Sequence, residues 1–271
     1  MCLLCRALSC FAVVLVLTCS ISSAVAQTIE QQALQVFEQQ KNAVVTVEFV
    51  VKQNFSMMGM GSESEESRIE TTGTVIDATG LTVVALSATD PMSMMAGLMG
   101  GMLGDDVQMQ SEVTDARILT DGTPIQATVV LRDKDNDLAF VRPVTPPESP
   151  LPFIDLSNNA QPGLLDQIVV VERLGKVASR IHTVDIVRVT GIVERPRLFY
   201  ITPSQAVGAP AFSLDGKCVG IFVTRMMEQG DSGSFSPLSM LSGMEDAVSV
   251  ILKPVSVITE AAAQAPSEAT V

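Results

Sequence analysis

From Val45 onward the apolar residues fall in short runs, and turn-forming residues close almost every one. Val45, Val47, Phe49 and Val51 alternate with Thr46, Glu48, Val50 and Lys52, the period of a strand buried on one face. Ile69 to Ile76 leads into a turn at Asp77-Ala78-Thr79-Gly80 and returns through Leu81 to Leu86, a hairpin pattern. Asp121-Gly122 makes another turn before Ile125, Ala127, Val129 and Leu131, and Leu138 to Val141 reads as a short buried strand. Ile168–Val171, Val184–Val193, Leu198–Thr202 and an Asp215-Gly216 hairpin running into Val219–Val223 repeat the style. A chain punctuated this often has little room for long helices. It is expected to be all-β, built as barrels or a sandwich. The exception is Thr28 to Lys41, where Thr28 and Gln31 can form a capping box and Ile29, Ala33, Val36 and Phe37 share a helix face.

Two segments stand apart from this pattern. Residues 1–26 combine Arg6, an apolar run from Phe11 to Leu17 and the small-residue sequence Ala24-Val25-Ala26, the layout of an export signal. The run is too short to span a bilayer, so the expectation is a cleaved signal, a periplasmic or secreted product and no membrane span afterwards. Retention of the signal as an anchor is the alternative. Pro143 to Pro152 holds five prolines in ten residues and reads as a linker between two halves.

Composition removes several functions. Lys+Arg number 17 against 30 Asp+Glu, a formal charge of −13, so no basic stripe is available to neutralise nucleic-acid phosphates or anionic lipid. Cys2, Cys5, Cys10 and Cys19 lie in the signal segment, which leaves Cys218 without a disulfide partner. Its setting, Gly216-Lys217-Cys218-Val219-Gly220-Ile221, is that of a buried strand residue. The one histidine, His182, rules out a second histidine base and reads as a structural or surface residue.

Nine of the 14 methionines fall in two regions: Met57, Met58 and Met60, then Met92, Met94, Met95, Met99, Met102 and Met109. The second region, Pro91 to about Gln110, is glycine-rich and reads as a loop. Thioethers make adaptable apolar contacts with varied partners and are also soft ligands for Cu(I). A covering loop, a protein-contact surface and a copper site using Met92, Met94, Met95, Met99 and Met102 are all open.

The order of these segments resembles the trypsin-like serine proteases, in particular the bacterial high-temperature-requirement (Deg) branch. Gly73 to Leu86 is similar to the strand, Asp-x-x-Gly turn and strand that precede the family's catalytic histidine. Leu119 to Val130 and Arg132 to Val141 resemble its Asp-Gly, Arg-Asp and Asp-Leu-Ala-Val segments. Leu151 to Val171 looks like the start of its second barrel, and Val207 to Ile221 like its nucleophile loop and following hairpin. The resemblance implies two six-stranded-type β-barrels with an N-terminal helix. Residues 27–41 are then the helix, 42–145 the first barrel, 146–258 the second, and 259–271 a flexible tail. The stretch after Val223 is too short for the peptide-binding (PDZ) module that many Deg-type enzymes append.

At the active-site positions the chain departs from that pattern. Ser87 stands where the resemblance puts the histidine, Val207 where it puts the nucleophilic serine, and Gln205 where a loop glycine is expected; Asp137 alone is retained. Acyl transfer by this chemistry needs a base, a nucleophile with a proton to give, and donors aimed at the oxyanion. Valine supplies none of these. Gly230-Asp231-Ser232-Gly233-Ser234 looks like a protease nucleophile loop, but it follows the Val219–Val223 strand rather than preceding it. Three expectations result: an exported, inactive homologue that binds a peptide or protein; a serine endopeptidase working through Ser232; or a copper-binding envelope protein. No cofactor is implied by the first two.

Overall fold

The computed structural model describes residues 28–57, 61–89, 107–226 and 248–269. Residues 1–26, read above as an export signal, and Ser232, Met58, Met60, Met92, Met94, Met95, Met99 and Met102 lie outside the described residues.

Helix α1 (Ile29–Gln40) starts at the capping box read from the sequence: Gln31 N–H donates to Thr28 Oγ1, and Thr28 N–H donates to Gln31 Oε1. The exchange satisfies two amides that a helix start otherwise leaves open. Ala33 and Val36 then face the second half of the molecule, against a cluster that includes Val169, Val171 and Phe212.

The first half is a closed barrel. Strands β1 (Val44–Met57), β2 (Gly61–Val75), β3 (Thr82–Ala85), β4 (Val107–Leu119), β5 (Ile125–Asp133) and β6 (Leu138–Pro143) join in the order β1-β2-β3-β6-β5-β4. Val45, Val47, Phe49 and Val51 fill it together with Val75, Val84, Ile118, Ala139 and Val141, so the period-two pattern of β1 is the pattern of its inward face. The second half has β7 (Gln167–Arg173), β8 (His182–Arg188), β9 (Gly191–Val193), β10 (Phe199–Ile201), β11 (Pro210–Ser213), β12 (Cys218–Met226) and β13 (Val248–Pro254). They form one seven-stranded sheet, β8-β7-β11-β12-β13-β10-β9, a half-barrel around Ile168, Val170, Ala211, Val219, Phe222 and Leu252.

Two short runs that read as continuously apolar owe it to burial on both faces. In β3 and β6, Val84, Ala139 and Val141 point into the barrel, while Val83, Leu138 and Phe140 meet Phe199, Ile221, Val223 and Ile251 of the second half. This apolar seam joins the two halves.

The structure corrects the sequence reading in four places. The Pro91–Gln110 loop ends earlier, because β4 begins at Val107 and Met109 pairs with Phe55. Strands β1 and β2 run on to pair Met57 with Gly61, through polar residues whose only strand signal is the backbone ladder itself. The segment Val184–Val193 is two strands. Val189 and Thr190 give their amides to Asp166 and Ile201, and the chain passes from pairing with β7 to pairing with β10. Finally Thr259, taken as the start of a flexible tail, lies inside helix α2 (Val255–Ala262). Ile258 and Ala261 are buried there in the seam, so the helix is held by packing that local composition does not reveal.

A polar clasp ties the halves on another side. Arg180 Nη2 lies 2.5 Å from Glu70 Oε1 and Arg180 Nε donates to Glu70 Oε2 at 3.1 Å, a two-point pairing between β2 and the β7–β8 turn. Lys176 N–H adds a third bond to Glu70 Oε2. Beside it, Arg173 Nη2 bonds Asp121 at 2.7 Å and Thr72 Oγ1 donates to the Arg173 carbonyl.

Two outcomes follow. Ile258→Ala lowers stability by about 2–5 kcal/mol in urea unfolding, the range for truncating a fully buried isoleucine. Unchanged stability would mean that the seam does not hold this helix. The Glu70–Arg180 pair gives a coupling of about 1 kcal/mol in a Glu70→Gln/Arg180→Gln double-mutant cycle. Hydrogen bonding from Arg180 holds the Glu70 carboxyl below its ordinary range. A carboxyl depressed in the folded state stabilises above its unfolded pKa, so the coupling disappears as pH falls through the depressed value.

Candidate functional site

The β5–β6 turn sets the first part of the site. Asp133 closes it by accepting from the backbone and side chain of Asn136, and Asp137 follows with φ +54°, a left-handed conformation that Asp tolerates better than most residues. That backbone aims the Asp137 carboxylate at the ends of two other strands. Oδ1 accepts the Ser87 N–H at 2.6 Å; Oδ2 accepts the Ser87 hydroxyl at 2.9 Å and the Thr224 N–H at 2.7 Å. Ser87 Oγ also lies 3.1 Å from Thr224 Oγ1, and the Asp137 carbonyl takes the Leu86 N–H. Burial holds the Asp137 carboxyl above its ordinary range, outweighing the opposing Ser87 and Thr224 donors and the nearby Lys253 cation. Lys253 is itself buried, gives Nζ to Asn136 Oδ1 at 3.1 Å, and is held below its ordinary pKa by that burial.

Among Ser87, Asp137 and Thr224 the carboxylate alone can take a proton, and its oxygens already accept three hydrogen bonds. Ser87 gives it a hydroxyl proton. It offers no basic nitrogen in return.

Residues 202–209 form the second part. Gly208 has φ +84°, and a Cβ there would sit 2.2 Å from the Thr72 carbonyl oxygen, so only glycine lets this loop lie against β2. Thr74 Oγ1 donates to the Gly208 carbonyl and Gly208 N–H donates to Phe222. The amides of Ser204, Ala206, Val207 and Ala209 are taken up within the loop itself. Ser204 N–H goes to Thr202 Oγ1, Ala206 N–H to Ser204 Oγ, Val207 N–H to the Gln205 carbonyl at 2.9 Å and Ala209 N–H to the Ala206 carbonyl. Stabilising an oxyanion requires amides that point outward and are free when the charge develops. The Val207 amide is not.

Between the halves, beside this loop, lies a cleft of about 260 Å³ lined by Thr46, Glu70, Thr71, Thr72, Glu172, Arg173, Leu174, Gly175, Gln205 and Val207.

The structure thus brings Ser87 and Asp137 into direct contact and places Val207 in the wall of the cleft. His182 is elsewhere, its Nε2 2.9 Å from the Val44 carbonyl. Cys218 is buried, with its thiol pushed up to about 12 by burial, a non-nucleophilic state. Among the described residues no group of three or more His, Cys, Asp or Glu side chains could hold a metal ion. Sequence reasoning missed Thr224, Lys253, Thr46 and Glu172. Thr224 had a faint signal, as the first polar residue after the apolar run Val219–Val223.

Replacing Asp137 by Asn keeps a residue suited to left-handed backbone but turns an amide group toward one of the three donors, leaving a donor unsatisfied. The expected loss is about 1–3 kcal/mol. Asp137→Ala loses more, because it adds backbone strain. Equal losses in thermal or urea unfolding would show that φ contributes nothing.

A model of the trypsin-like peptidase domain matches residues 71–221, from the end of β2 to the start of β12, which takes in Ser87, Asp137 and the 202–209 loop. No curated protein matches the chain. A similar solved structure is the MamO protease domain from Magnetospirillum magneticum in its apo form, at 12% identity and TM-score 0.49, with 83% of this chain and 97% of that one covered. The family match spans more than half of the chain, and the barrel, the half-barrel and their connection agree with it: the chain belongs to the trypsin-like peptidase family.

Proposed function

We propose that the chain is an exported, catalytically inactive member of the trypsin-like peptidase family that acts by binding a peptide or protein in the cleft between its halves. The observation that carries this reading is the inward-turned Val207 amide on a loop with no side-chain nucleophile at that position. The Ser87–Asp137–Thr224 cluster supports it independently, since its carboxylate orients a hydroxyl and an amide rather than a base. Loss of the nucleophile, of the proton acceptor and of the Val207 amide as an oxyanion donor removes several powers of ten in rate. What remains is a polar cleft at the junction of two halves, a common place for ligands. Export is supported by the charged start, apolar run and small-residue site of residues 1–26. The charge of −13 favours partners other than nucleic acid.

A fluorophosphonate probe tests the inactive reading, with adducts mapped by mass spectrometry beside an active trypsin-like control. No adduct is expected on any serine of this chain. An adduct at Ser232 that disappears in Ser232→Ala would establish hydrolase chemistry and overturn the proposal.

A further inference from the structure

The cleft carries more information than its position. Strand β7 alternates, with Ile168 and Val170 facing the core of the half-barrel and Val169 and Val171 facing α1. Glu172 therefore continues the inner face of the sheet, at the point where that face leaves the core and reaches the cleft. Its carboxylate is half-buried, and among the described residues it has neither a hydrogen bond nor an ion pair. Desolvating a charge without a partner is unfavourable, so nothing in the fold accounts for it. The other charged side chains of the lining are committed: Glu70 to Arg180 and Arg173 to Asp121.

A second observation points the same way from the opposite wall. Thr46 is 2% exposed and lines the cleft from β1, and its Oγ1 is buried without a hydrogen-bond partner. Buried hydroxyls nearly always have one. An unpaired carboxylate on one wall and an unpaired acceptor on the other describe a site for a compact group with several N–H donors. A primary ammonium has three such donors, and its alkyl stem can lie along Leu174 and Val207.

Resting on the binding reading above, we infer that the cleft holds a lysine side chain of the bound peptide, its ammonium received by Glu172 and Thr46. Gly175 marks the entrance. It is exposed, with φ −70° and ψ −179°, and a Cβ there meets nothing within 4 Å, so a side chain fits at this lip of the cleft without straining the backbone.

The test uses the full chain on arrays of acetylated decapeptide amides with randomised flanks and a fixed central Lys, Arg, norleucine or Glu. Central Lys is expected to be retained about tenfold or more over norleucine, and Glu to be excluded. Glu172→Gln and Thr46→Val each reduce the Lys preference, and Gly175→Leu reduces retention of every peptide. Thr46→Val removes an unsatisfied hydroxyl and leaves thermal stability equal or higher, which separates lost binding from lost folding. Retention that ignores the central residue, that favours Arg over Lys, or that keeps its Lys preference in Glu172→Gln overturns the lysine inference while leaving peptide binding standing. Absence of retention on all four arrays overturns both.

Discussion

One carboxylate holds the two halves in register at the site. Asp137 immediately precedes β6, takes both Ser87 bonds just beyond the end of β3, and reaches across to the Thr224 amide on β12. A buried charge is tolerable when its lone pairs are filled, and three donors fill these. The rest of the site inherits that geometry. The β5–β6 turn must place Asp137 in left-handed backbone, and β12 must pass close enough to present Thr224. The apolar seam of Phe140, Ile221, Val223 and Ile258 supplies the dry surroundings in which these bonds are strong. Here the carboxylate works for the fold.

The nucleophile-position loop is governed by a different constraint and reaches the same end. Gly208 lies against the Thr72 carbonyl, and its neighbours fold their amides back onto Thr202, Ser204, Gln205 and Ala206. Such a loop is stable without a ligand, whereas an oxyanion hole keeps donors facing an empty space. A hydroxyl introduced at position 207 would therefore stand on a loop whose amide still points at Gln205. The proposed inactivity thus rests on backbone geometry as well as on the side chains at 87 and 207.

Much of this was legible in the sequence, for identifiable reasons. Strands filled on one face, such as β1, and strands buried on both, such as β6, carry their environment in their residues. Turns at Asp77–Gly80 and Asp215-Gly216 are dictated by local backbone chemistry, and the Thr28–Gln31 box by spacing. The assignment of Ser87 and Val207 rests on the resemblance of Gly73–Leu86 and Val207–Ile221 to the family's segments, and on no local signal of their own. What could not be read depends on partners distant in sequence. The polar ends of β1, β2 and β4 are strands because each completes its neighbour's ladder. The helix residues from Thr259 onward look like a tail until Ala261 meets the seam, and Thr224 and Lys253 reach the site through a sheet pairing of β12 with β13.

The contact between the halves is unequal from side to side, and this explains where a cleft can persist. Along β3 and β6 both surfaces are apolar and close completely. Along β1 and β2 the outward residues are Thr46, Glu70 and Thr72, and the facing end of β7 carries Glu172 and Arg173. Polar groups cannot be packed shut without finding a partner for every donor and acceptor. Glu70, Thr72 and Arg173 find theirs within the clasp, while Glu172 and the Thr46 hydroxyl do not. In a chain with 30 acidic residues, most carboxylates are made harmless by water or by a cation; one left half-buried across from an unpaired hydroxyl is complementary to a positive group that the described residues do not supply.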